Sequence, residues 1–132
     1  AEMIVSLGKR PILVRKDVPG FVWNRMQLAM LREAMWIVEN GVATPEVVDW
    51  VMREGLARRW RETGPFATAA LGGPDTFAKI ANNLWPELSA ATSIGDLHAY
   101  LESDPARLAE IRTARDAGLL AQMKRDRAGE AG

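Results

Sequence analysis

Lys16-Asp17-Val18-Pro19-Gly20-Phe21-Val22-Trp23-Asn24-Arg25 sets a turn-forming Pro-Gly directly ahead of an apolar run that continues to Asn40 and Gly41. Pro19 suits the first position of a helix, where its missing N–H would have no partner in any case. Phe21, Leu28, Leu31, Met35 and Val38 mark one face of the expected helix. Val22, Met26, Ala29, Trp36 and Ile37 widen that face until most of the circumference is apolar. A helix of that kind belongs in the centre of an assembly. Gly41 then serves as its left-handed terminus. Asn24 and Arg25 are polar groups held beside bulky neighbours, so they need partners or are placed for chemistry.

Composition narrows the classes. The chain has 132 residues, enough for one domain with a modest core. Lys plus Arg is 17 and Asp plus Glu is 17, a formal net charge of zero. That balance argues against nucleic-acid and membrane-surface binders, which need a basic excess. There is no cysteine, so no disulfide and no thiolate metal site can form, and the single His98 cannot make a histidine zinc site alone. No apolar run has the length of a membrane span and no signal-peptide pattern stands at the start, so a cytoplasmic setting is expected.

The remaining punctuation divides the chain into helices. Thr44 is an N-cap ahead of Pro45 and Glu46, with Gly55 expected to close that helix. Gly64-Pro65 opens a short helix that stops at Gly72-Gly73, and Pro74-Asp75 opens the next, ending near Trp85-Pro86. Ser93 is read as the cap of a helix through Leu101. Asp104-Pro105 starts a long final one with Leu108, Ile111, Leu119 and Met123 on its apolar side. Pro11-Ile-Leu-Val-Arg15 reads as a short strand with no partner strand in the chain. Ala1-Glu-Met-Ile-Val-Ser-Leu7 reads as the end of an amphipathic helix, so the N-terminus looks like a cut. The small, polar Ala128-Gly-Glu-Ala-Gly132 reads as a disordered tail. The sum is an all-α cluster of about six helices behind one orphan strand.

The motifs Gly8-Lys-Arg-Pro11, Lys16 to Arg25, Glu33-Ala34, Gly41-Val-Ala-Thr44, Val48-Asp49, Gly64-Pro65-Phe66 and Asp75-Thr76 stand in an order that resembles the 3-hydroxyacyl-CoA dehydrogenase family. The resemblance is to that family's C-terminal helical domain, a 6-phosphogluconate dehydrogenase C-terminal-like fold. In the family this domain follows a Rossmann domain carrying NAD and a catalytic His–Glu pair. No Gly-x-Gly-x-x-Gly follows a strand here, and Gly72-Gly-Pro-Asp75 lies between helices. The resemblance therefore implies that residues 1–17 end a missing NAD-binding domain, 128–132 form a tail, and 18–127 are a helical substrate and dimerisation domain.

Arg58-Arg59-Trp60 ahead of Gly64-Pro65-Phe66, and Ala114 to Lys124 at the end, are similar to the branch acting on free hydroxy acids, the lambda-crystallin, gulonate and carnitine dehydrogenase group. Ala67 departs from the acidic residue usual after Gly-Pro-Phe, and a CoA thioester stays open as substrate. The expected function is completion of the substrate cleft and the homodimer of an NAD-dependent 3-hydroxy-acid or 3-hydroxyacyl-CoA dehydrogenase of fatty acid metabolism. The chain alone would be inactive. The alternative is a free-standing helical homodimerisation module with the same fold. A DNA-binding reading of Thr44 to Gly55 has no basic recognition helix behind it.

Asn24 is the expected catalytic residue, because the matching family asparagine reaches the cleft near the substrate carbonyl and the nicotinamide. An amide there can donate to a developing oxyanion. The other reading is a buried amide closing a helix–loop contact. Arg25 is expected to brace the helix by pairing with a carboxylate or with helix-end carbonyls. Arg59 is either a bidentate clamp for a substrate carboxylate or part of a solvated basic loop with Arg58 and Arg61. Pro65 and Phe66 are candidates to line the substrate cleft, beside the reading of a helix start and core packing. The tryptophans at 23, 36, 50, 60 and 85 suggest a filled core or a dimer face, and His98 a surface or capping position. No metal is expected.

Overall fold

The structure, a computed structural model, describes residues 12–130. Among these residues every regular element is helical. They are α1 (Trp23–Glu39), α2 (Pro45–Val51), a π-helical turn (Met52–Leu56), α3 (Ala57–Glu62), α4 (Pro65–Leu71), α5 (Pro74–Leu84) and α6 (Pro105–Glu130). Short 3-10 turns lie at Trp85–Glu87 and Leu97–Tyr100. The chain divides into two compact units at Gly95 and Asp96.

Helix α1 begins four residues later than Pro19 suggests. Pro19-Gly20 sits in a tight turn in which Phe21 N–H donates to the Val18 carbonyl at 3.0 Å, and Gly20 takes φ 79°. Pro at the second and a left-handed glycine at the third position are what such a turn demands. Phe21 is itself left-handed at φ 45°, which delays the first helical residue to Trp23. At the far end, Gly41 (φ 67°) carries out its expected role. Gly41 N–H donates to Val38 and Val42 N–H to Ile37, at 3.0 and 2.9 Å, a Schellman closure.

Thr44 caps α2 as expected, accepting from Val47 N–H at 3.4 Å, with Pro45 in the first turn. Gly55 does not end that helix. The rod runs on through the π turn, where Ala57 N–H reaches back five residues to the Met52 carbonyl. Glycine lowers helix propensity without forbidding helix, and nothing else at Gly55 interrupts the hydrogen bonds. The rod ends at Thr63, and Gly64-Pro65 and Gly73-Pro74 open α4 and α5 as expected. Helix α2 packs back on α1, and α4 on α5.

Three readings change. Ile12, Leu13 and Val14 form no strand, since a lone strand has nothing with which to exchange hydrogen bonds. Pro11 and the segment before it, with the expected helix end at 1–7, lie outside the described residues. Ser93 caps nothing. Asp96 does so instead, accepting from Ala99 N–H at 3.3 Å, and the expected helix shrinks to the turn Leu97–Tyr100. Residues 128–130 belong to α6 and not to a tail, helical hydrogen bonding having simply continued; 131 and 132 lie outside the described residues. Asp104 starts α6 by accepting from Ala106 N–H at 3.0 Å.

The apolar breadth of α1 is not matched by burial. Met35 is the single buried hydrophobic residue among those described, while Trp23 is 80% and Phe66 91% exposed. Trp36, Trp50 and Trp85 are exposed too and Trp60 is half-buried, so none of the tryptophans is buried in a core.

Candidate active-site cleft

Helix α1 forms the floor of a cavity of about 810 Å³. Pro19 and Gly20 close one end, and the loop Ser89 to Gly95 forms the opposite wall. That wall is tied down by one bond. Ser89 N–H donates to Glu33 Oε2 on α1 at 2.8 Å, and Ser89 is itself 8% exposed. A charged acceptor makes this stronger than an ordinary amide–carbonyl bond. Glu33 entered the sequence reading only as part of a motif. Its role depends on a bond across 56 residues, which no local pattern announces.

Asn24 and Arg25 both line this cavity, at its Gly20 end. A methyl group added at Gly20 would lie 3.4 Å from Arg25 Cγ and Asn24 Cβ, so the turn seats the stems of both residues. Among the described residues, no side-chain hydrogen bond or ion pair occupies Asn24, Arg25 or Arg32, which lies two turns further along the same wall. The reading of Asn24 as a buried helix–loop contact and that of Arg25 as a brace on a carboxylate or helix-end carbonyls are therefore not what is found among the described residues. An unpaired amide and two unpaired guanidinium groups border one cleft, where they can donate to an oxyanion or carboxylate.

Arg59 lies elsewhere. It lines a separate cavity of about 270 Å³ with Thr63, Thr68, Leu71, Gly72 and Phe77. It is not part of a uniform basic loop, because its neighbours are engaged: Arg58 meets Glu54 at 3.8 Å and Arg61 meets Glu62 at 4.0 Å. Arg59 has no such partner among the described residues. Pro65 and Phe66 line neither cavity. Pro65 opens α4, and the Phe66 ring is 91% exposed, not packed in a core. His98 is exposed in the turn Leu97–Tyr100. Among the described residues no group of three or more His, Asp or Glu side chains could hold a metal ion, and no helix is long and apolar enough to cross a membrane.

Residues 20–118 match the family model for the C-terminal domain of 3-hydroxyacyl-CoA dehydrogenase, and the chain belongs to that family. It is 43% identical over 86 residues, 63% of its length, to a 3-hydroxyacyl-CoA dehydrogenase of Gibberella moniliformis. It is 37% identical over 130 residues, 88% of its length, to L-carnitine dehydrogenase of Pseudomonas aeruginosa. It spans 27% and 40% of those two relatives. The fold is similar to that of a solved 5-formyl-3-hydroxy-2-methylpyridine 4-carboxylic acid 5-dehydrogenase, an NAD+-dependent dismutase, with a TM-score of 0.83 and 29% identity. That likeness covers 93% of this chain and 45% of the other.

Proposed function

We propose that this chain is the substrate-side domain of an NAD-dependent dehydrogenase acting on small free hydroxy acids. The observation that carries the reading is the unpaired Asn24 amide lining the α1 cleft, and the motif resemblance, which matches Asn24 to the family's cleft asparagine, supports it. The carboxylate in the name of the structural relative, and the carnitine relative, support a free acid over a thioester.

In this reading NAD and the catalytic base come from a dinucleotide-binding domain that closes over the cleft. A bound NAD would supply the acceptor for the hydride leaving the hydroxyl-bearing carbon, and a base of that domain would take the hydroxyl proton. Asn24 donates its amide N–H to the oxygen as the carbonyl forms, holding it in line for transfer. Arg59 lies in the smaller cavity, apart from Asn24, and takes the substrate carboxylate with its planar fork once closure of the whole enzyme brings the two cavities onto one substrate. Pro65 and the exposed Phe66 form an outer wall that the closing domain covers. The enzyme is a homodimer, and the wide apolar surface of this domain supplies its contact.

The test is the full-length protein, assayed with NAD against 3-hydroxy acids and 3-hydroxyacyl-CoA thioesters. Asn24→Ala should lower kcat/KM by about 10²- to 10³-fold, the range seen on losing one donor to a developing oxyanion. An unchanged kcat/KM removes Asn24 from the chemistry. Arg59→Ala should harm free acids more than thioesters, and equal losses undo the carboxylate clamp. Residues 1–132 alone should reduce no NAD; measurable reduction by them would overturn the division of labour.

A further inference from the structure

The smaller cavity holds more polar chemistry than Arg59. Thr63 Oγ1 and Thr68 Oγ1 lie 3.0 Å apart, both residues half-buried and lining the same cavity as Arg59. Each hydroxyl carries one proton and two acceptor sites. One of the two protons is used in the 3.0 Å bond. The other meets only a contact of 3.4 Å, to the Arg59 carbonyl if it belongs to Thr63 or to the Thr63 carbonyl if it belongs to Thr68. Hydroxyl bonds are strongest near 2.7–2.8 Å, so that second proton is loosely held whichever residue owns it.

The wall opposite is fixed by shape. A methyl group added at Gly72 would meet Phe77 Cε2 at 2.3 Å, so the glycine leaves the room that the ring occupies. At about 270 Å³ the cavity is smaller than a typical ligand pocket and suits one end of a small acid.

Building on the hydroxy-acid reading above, we propose that the Thr63–Thr68 hydroxyl pair is a specificity-determining element that reads the substrate carboxylate together with Arg59. One carboxylate oxygen takes the guanidinium fork, and the other accepts the loosely held hydroxyl proton. A bond from a hydroxyl to a charged acceptor is stronger than one to the neutral carbonyl of an ester or thioester. The pair thus favours the free acid at the same carbon skeleton.

The test uses the full-length protein and the ratio of kcat/KM for a 3-hydroxy acid to that for its methyl ester. Because both substrates see the same folded fraction, partial unfolding of a variant cancels in the ratio. Thr68→Val should lower the ratio about tenfold, chiefly through KM for the acid, and Thr68→Ser should restore it. The double variant Thr63→Val with Thr68→Val should lower it further, since no hydroxyl then remains. An unchanged ratio in the double variant overturns the proposal, as does a loss that falls equally on acid and ester. A parent enzyme that oxidises hydroxy acids while failing these tests leaves the proposed function standing. A parent that oxidises none of them removes both.

Discussion

Thr44 works at both ends of its hydroxyl. The oxygen accepts from Val47 N–H at the start of α2, and the hydroxyl hydrogen bond to Glu46 lowers the Glu46 pKa from its ordinary 4.5, with the residue's own backbone N–H helping. A carboxyl whose folded pKa is lowered stabilises the fold above its unfolded value, and that contribution disappears as pH falls through the lowered one. Thr44→Val should therefore move the Glu46 titration, followed by NMR, back toward 4.5, while loss of the cap costs about 1 kcal/mol. An unmoved titration would show that the hydroxyl is not the cause. Gly72 is the opposite case, a residue defined by what cannot be added. Gly72→Ala would press on the Phe77 ring and should destabilise by about 1 kcal/mol, and less in a Phe77→Leu background, as a double-mutant cycle in urea would report. Caps of the Thr44 kind were legible because Thr-Pro-Glu is a local signal. Phe21 was not. A left-handed phenylalanine costs about 1–2 kcal/mol locally, and only the closed Val18–Phe21 turn makes it worth adopting.

Elements were legible where a start or stop signal acts on its own turn, as at Gly41, Gly64-Pro65 and Asp104-Pro105. They were misread where the outcome depends on distant partners. The apolar Ile12 to Val14 has strand composition but no neighbouring strand, and Gly55 has the look of a terminus inside a rod that does not stop. The π turn around Gly55 adds one residue to that rod, so removing one residue should restore plain α-helix while the two flanks keep their faces. Deletion of Gly55 should leave the melting temperature unchanged or higher, and the acid-to-ester preference set near Arg59 intact; a lost preference would show that the extra turn itself shapes the site. The candidate cleft was half legible. Asn24 announced its wall through the turn before α1, whereas the facing wall hangs on the Glu33–Ser89 bond across 56 residues. Glu33→Ala should free the Ser89 amide, cost about 1.5–3 kcal/mol, and speed hydrogen exchange at Ser89 ahead of α1. Uniform acceleration along the chain would mean that the bond stabilises the whole fold and not this wall.

For the molecule as a whole, the decisive fact is how little apolar surface finds cover among the described residues. Met35 alone is a buried hydrophobic, whereas Phe66, Trp23 and Trp85 are 91, 80 and 69% exposed. Covering one such side chain is worth about 1.5–3 kcal/mol, so leaving several in water forgoes a large part of the stability a small domain can have. Single exposed apolar residues are ordinary, but Phe21, Val22, Trp23 and Met26 are exposed in succession around the start of α1. Sequence periodicity showed correctly that α1 is apolar over most of its surface. It could not show whether anything covers that surface, because the periodicity of one helix carries no trace of atoms outside the described residues. If a second copy supplies them, residues 1–132 should self-associate with a concentration-dependent sedimentation coefficient, and Trp23→Glu should weaken that association at least tenfold by placing an unpaired charge in the contact. If a cofactor domain supplies them, the same substitution should leave the oligomeric state of the full-length protein unchanged and instead raise KM for NAD. The two measurements distinguish the partner. A Trp23→Glu protein unchanged in both would mean that the apolar start of α1 faces water in the full-length protein.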